Sequence, residues 1–115
     1  ERKNSSPLQL FIGLVEEKGE MKKYDFYSDP GHGWLKVKRK ELYELGIADK
    51  ITGFSYERGD FVYLEEDEDF SNFIEAIEEK TGEKFDSTKH LRHHITDKSS
   101  KIRSYLSYKY LFERF

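Results

Sequence analysis

YDFYSDPGHGWLKVKRKELYELGIADKITGFSYERGDFVYLEEDED, residues 24–69, holds the clearest strand signals, the single Trp and the sharpest change of charge in the chain. Tyr24 and Phe26 alternate with Asp25 and Tyr27, which predicts a strand over residues 24–28. Asp29-Pro30-Gly31 predicts a tight turn, with proline presetting the first central torsion and glycine accepting a positive φ. Trp34-Leu35-Lys36-Val37 reads as the returning strand, so residues 24–37 form a hairpin. A short helix follows near 39–45, carrying Leu42 and Leu45 inward. Gly46 stops it at the first position past the cap, and Ile47 supplies the apolar contact after it. Residues 51–56 predict a strand or an irregular arm, and Glu57-Arg58-Gly59-Asp60 turns the chain. Phe61-Val62-Tyr63-Leu64, rich in aromatic and β-branched residues, is the strongest strand signal.

The acidic run Glu65-Glu66-Asp67-Glu68-Asp69 then leads into a helix over about 70–80. Carboxylates at a helix start are favoured by the dipole and by capping. Phe70, Phe73, Ile74 and Ile77 share one apolar face, and Gly82 closes the element. Working outward, Ser6-Pro7-Leu8-Gln9 reads as the start of an amphipathic helix over 7–18. Residues 1–20 then form an N-terminal extension, with Met21 as a candidate natural start, and 21–115 form the domain. Residues 83–100 are polar and carry no clear period. Residues 102–115 read as a strand to about Tyr108 followed by an ordered tail, with a helix as the alternative.

A chain of 115 residues supports one core. Hydrophobic residues make up only 36%, yet eight Tyr and nine Phe supply the area that a disordered chain would lack. With no cysteine, a disulfide framework, a thiolate zinc site and a Cys nucleophile are excluded; that usage fits a reducing cytoplasm, that of a host cell. No apolar run approaches the roughly 18 residues of a membrane span, and no signal-peptide pattern is present. The net charge of −3 argues against a generic nucleic-acid binder. It is unevenly spread: 57–83 is acidic, while Lys84 onward is basic.

Four groups of residues carry possible chemistry. Asp29 and His32, beside Trp34 in a glycine-rich loop, have the side chains of an acid, a base or a metal ligand. The run from Glu65 to Asp69 offers hard oxygen donors, without the spacing of a calcium loop. It also imitates a row of phosphates suited to a basic groove. His90, His93 and His94 would share a face only on a helix, with His32 or Asp86 as a third ligand. Lys101 and Arg103 beside Tyr105 and Tyr108 combine phosphate contact with base stacking. The sequence assigns no catalytic residue, no metal and no cofactor.

SDPGHGWL, LGI, SYERGDFVYLEEDED and IRSY together resemble short proteins carried by bacteriophages and mobile elements, which share an SDPGHGW…LGI…YSY…GD.VYLEEDxD pattern. The likeness covers Tyr24 to about Phe73, with Ile102 to Tyr105 as a closing piece. It implies an accessory role exerted by binding, including action against host defences, and brings no activity with it. A second likeness, to the AbrB-type swapped-hairpin DNA-binding fold, rests on strand, basic helix, LGI and Gly59-Asp60. Here Ala48 to Arg58 intervene between those pieces.

The expected architecture is a single α+β domain: a small, mainly antiparallel sheet with about three helices, near 7–18, 39–45 and 70–80. The leading functional expectation is non-catalytic binding of a host protein or protein–nucleic acid complex, in the manner of an anti-CRISPR-like inhibitor. Its contact set is Glu65, Glu66, Asp67, Glu68, Asp69, Asp29, His32 and Trp34. The alternative is a dimeric nucleic-acid-binding regulator using Lys101, Arg103, Tyr105 and Tyr108, the aromatic edges suiting a homodimer. A distant third is a metal-dependent hydrolase.

Overall fold

The structure is a computed structural model that describes residues 21–111. Strand β1 (Tyr24–Ser28) pairs antiparallel with β2 (Gly33–Lys38), so the expected hairpin is present with Phe26 opposite Leu35 and Tyr27 opposite Trp34. The turn between them works differently from the expectation. Gly31 does not have a positive φ; among the described glycines only Gly46, Gly59 and Gly82 do. Instead the Asp29 carboxylate accepts the amides of Gly31 and His32 at 2.9 and 3.0 Å. A Cβ at 31 would lie 2.8 Å from the Arg103 guanidinium, so a larger residue there would push the Arg103 side chain aside. At Gly33 a Cβ would meet the Phe26 ring at 2.5 Å.

Helix α1 (Arg39–Glu44) ends as its sequence predicts. Gly46 N–H donates to Tyr43 and Ile47 N–H to Leu42, the reciprocal pair of a Schellman cap, and Ile47 is buried. A 3-10 turn at Ala48–Lys50 follows. Residues 51–55 are irregular, so the strand expected at 51–56 begins only at its end: β3 is Tyr56–Arg58. The Gly59-Asp60 turn returns β3 directly into β4 (Phe61–Glu65), with Arg58 opposite Phe61. That turn therefore closes a hairpin within the same sheet, unlike the AbrB-type order in which it follows LGI.

Helix α2 (Glu68–Thr81) is longer than expected at its start and stops at Gly82 in the left-handed region. Phe73 and Ile77 are fully buried under the sheet with Leu35, Leu42 and Leu64. Phe73 meets Tyr24 edge-on at 5.3 Å between centroids. The polar segment after α2 contains two elements that periodicity misses. Helix α3 (Ser87–His90) is capped by Asp86, and β5 (Leu91–Ile95) runs parallel beside β1. Only Leu91 of β5 is buried, since an edge strand covered on neither side has no need of alternating apolar residues. At the other edge, β6 (Leu106–Ser107) pairs with β3 after a 3-10 turn at Lys101–Ser104. The strand expected from 102 to 108 is thus only two residues long.

The sheet order is β5-β1-β2-β4-β3-β6, antiparallel except for β5 with β1. This is one α+β domain with the sheet's inner face on α1 and α2, as expected. The opposite face gathers Trp34, Tyr63 and Ile102 with Tyr27, Tyr56, Phe61 and Tyr105 into a second apolar cluster. The helix predicted over 7–18, and the extension to which it belongs, lie outside the described residues. No helix among the described residues is long and apolar enough to cross a membrane.

Candidate functional site: an acidic–aromatic cleft

The end of β4, the irregular arm 51–55 and the loop before β2 enclose a cleft of about 420 Å³. Trp34, Phe54 and Tyr56 form its aromatic side, while Glu65, Asp67, Glu68 and His32 supply its polar rim. Phe54, 77% exposed, stands at the opening.

The sheet register builds this site. Trp34 lies opposite Glu65 in the β2–β4 ladder, so the loop ahead of β2 and the residues after Glu65 emerge at the same end. His32 Nδ1 consequently approaches Glu66 Oε2 to 3.5 Å. Glu65 accepts the Asp67 amide at 3.1 Å, which starts the turn into α2. Partial burial raises the Glu65 carboxyl above its ordinary value, and the neighbouring Asp67 and Glu66 charges push the same way.

The eight residues expected to contact a partner divide into two groups. His32, Glu65, Glu66, Asp67 and Glu68 are exposed or half-buried. Asp29, Trp34 and Asp69 are buried; Asp29 and Asp69 are taken up by internal hydrogen bonds, while Trp34 forms part of the cleft wall. Asp69 does not sit with its neighbours in solvent. It turns inward from the first turn of α2 and accepts from the Thr52 amide, the Thr52 hydroxyl and the Ser55 hydroxyl at 3.1, 2.7 and 2.6 Å. Ser55 in turn accepts the Glu65 amide, so one carboxylate ties the arm to the end of β4. The capping role expected of the acidic run is also absent: Asp67 occupies the cap position without a side-chain bond.

Asp29 is equally structural. Beyond its own turn it accepts the Ser100 amide at 2.9 Å and the Arg103 guanidinium through Nε and Nη2 at 2.7 and 2.9 Å. Arg103 beside it holds its carboxyl far below the usual range, aided by the amide donors. This interaction fixes the C-terminal segment across the open sheet face. It also accounts for the residues of the nucleic-acid alternative. Arg103 is engaged by Asp29 and lies over Trp34, Tyr105 packs at 5.2 Å from Tyr63, and buried Tyr108 donates to the Ala48 carbonyl. Lys101 alone projects freely.

The three clustered histidines separate because they lie on a helix end and a strand rather than on a helix. His90 is buried, its Nδ1 accepting the Asp86 amide, so Nε2 carries the proton and donates to Glu83 at 2.8 Å. His93 and His94 point to opposite faces of β5, towards Phe26 and Tyr27 respectively. Among the described residues these histidines do not converge on a common point.

Asp25, between Arg92 and His94, has its pKa lowered from 3.8 to about 2, first by the hydrogen bond from Arg92 and then by that from His94. Because the folded value is depressed, the contribution is complete above 3.8 and disappears as pH falls through about 2. Asp25→Asn should therefore flatten the acid limb of a stability–pH curve in that window. The effect is small, since the pair is solvent-screened, and an unchanged limb would remove Asp25 from acid unfolding.

Phe54, Thr52 and Tyr56 were not identified from the sequence as site residues. Only the fold of the irregular arm brings them against the acidic run. Compared with protein-family models, with curated proteins and with solved structures, the chain matches none.

Proposed function

We propose that this chain is a small phage or mobile-element accessory protein that acts by binding another protein, without catalysis, at the acidic–aromatic cleft. One observation carries the reading: exposed Phe54 stands beside Glu65, Asp67 and Glu68 in a single concave site. An apolar anchor ringed by charge is the form of a binding hot spot. Among the described residues these carboxylates meet little opposing charge, with His32 as the basic group beside Glu66. Among the described residues, no Lys or Arg forms an ion pair with Glu65, Glu66, Asp67 or Glu68. A partner with a basic groove supplies the missing charge, and grooves of that kind belong to proteins that handle nucleic acid. The partner class is therefore a nucleic-acid-processing host protein, including a defence complex of the kind targeted by anti-CRISPR-like inhibitors.

The test is capture from host lysate by the wild-type chain and by Phe54→Ala and Asp67→Asn/Glu68→Gln variants, with heparin as competitor. Capture of a basic protein that heparin displaces is expected, with Phe54→Ala weakening it by more than about 1 kcal/mol. Undiminished capture by both variants would place the interface elsewhere.

A further inference from the structure

We propose that His32, Glu65 and Glu66 form a site for one divalent first-row ion, Zn²⁺ binding more tightly than Mn²⁺, at the rim of the cleft. His32 Nδ1 and one oxygen from each carboxylate lie within 4.8 Å of one another. They are the only His and carboxylate side chains among the described residues to converge in this way. In a tetrahedral zinc site with bonds of about 2.0–2.1 Å, ligand atoms are roughly 3.4 Å apart. The side chains of His32 and Glu66, 50% and 38% exposed, have open space beside them in which to close the remaining gap.

The backbone beneath the three ligands is fixed. Asp29 accepts the His32 amide, and Arg103 holds Asp29 from behind. Trp34 opposite Glu65 locks the other side through the sheet ladder. A supporting frame of this kind separates a ligand set from a chance cluster of mobile side chains. Donor chemistry selects the ion. One imidazole with two carboxylates suits borderline ions such as Zn²⁺ or Mn²⁺, whereas calcium prefers six or more oxygens. Arg103, the one guanidinium lining the cleft, bonds to Asp29 and leaves the carboxylates to another cation.

Beside the site lies a polar group whose bonding is unmet. Trp34 lines the cleft and is 2% exposed, yet its indole Nε1 is the only buried side-chain polar atom among the described residues without a hydrogen-bond partner. Three protein ligands leave an open coordination position.

This site stands independently of the protein-binding reading, because metal uptake needs no partner and partner capture can be measured in chelator. The experiment is calorimetric titration of tag-free, chelator-stripped protein with ZnCl₂, repeated with MnCl₂. One zinc per chain is expected, with weaker manganese uptake at the same stoichiometry. Loss of even an outer-shell partner costs metal sites about 10–100-fold, so His32→Ala and Glu66→Gln should each weaken binding by at least about tenfold. Their thermal melts should stay unchanged, and His93→Ala/His94→Ala should bind as wild type does. In Co²⁺-loaded protein, visible absorption bands should be present and be lost in His32→Ala. Absent saturable uptake overturns the site, as does uptake that survives both ligand substitutions or follows His93 and His94.

Discussion

Asp69→Ala is expected to cost about 3–5 kcal/mol of folding stability, because it orphans buried donors worth about 1–3 kcal/mol each. The carboxylate is fully buried and is the shared acceptor for Thr52 and Ser55. Removing it unties the 51–55 arm from α2 and, through Ser55, from the end of β4. The cleft is made of those same pieces, so Phe54 and the rim carboxylates should lose their relative placement. Denaturant unfolding of Asp69→Ala, Asp69→Asn and Glu68→Ala checks this. Asp69→Asn should fall between the others, since its amide keeps one acceptor but presents hydrogens where donors already point. Glu68→Ala, one residue away and exposed, should change little. Equal effects at 68 and 69 would mean that the acidic run acts as a single charged patch after all.

Arg103→Ala is the second large effect, expected as a drop of several degrees in melting temperature. It leaves the Asp29 carboxylate, whose side chain is 1% exposed, without its bidentate guanidinium partner. Breaking one partner of such a pair costs more than the pair contributes, because the remaining charge stays away from water. The consequence should be local as well as global. Ser100 and Ile102 are held against the open sheet face through this link, and β6 follows directly. Amide hydrogen exchange over 100–108 should accelerate more than exchange in α2. Arg103→Lys should restore little, since a point charge does not reproduce the fork. If Arg103→Ala leaves exchange untouched and lowers affinity for single-stranded DNA, the residue belongs to the nucleic-acid alternative.

The two cases show what kind of information the chain carries locally. The β1–β2 hairpin, the Schellman end of α1, the strand at β4 and the apolar face of α2 all depend on residues within a few positions of one another. Alternation, a glycine past a cap or a 3.6-residue period is visible in such a window. The α+β class and the proximity of the acidic run to a helix start were legible for the same reason. The polar edge strand β5 was not, because an edge exposed on both faces leaves no hydrophobic period to read.

What only tertiary structure decided was the meaning of the individual acids. In the sequence Glu65 to Asp69 is one uninterrupted charge, and Asp29 is a turn residue. In the fold, β4 ends and α2 begins inside that run, so rotation about the backbone sends Asp69 into the core and leaves Glu68 in water. Asp29 meets Arg103 across a separation of 74 residues, which no local pattern encodes. His32 and Glu66 likewise come together only because β2 and β4 are neighbours in the sheet. Sequence determined which segments could be strands and helices through short-range sterics and hydrophobic period. Long-range pairing of strands then determined which charges are buried as anchors and which remain at the cleft.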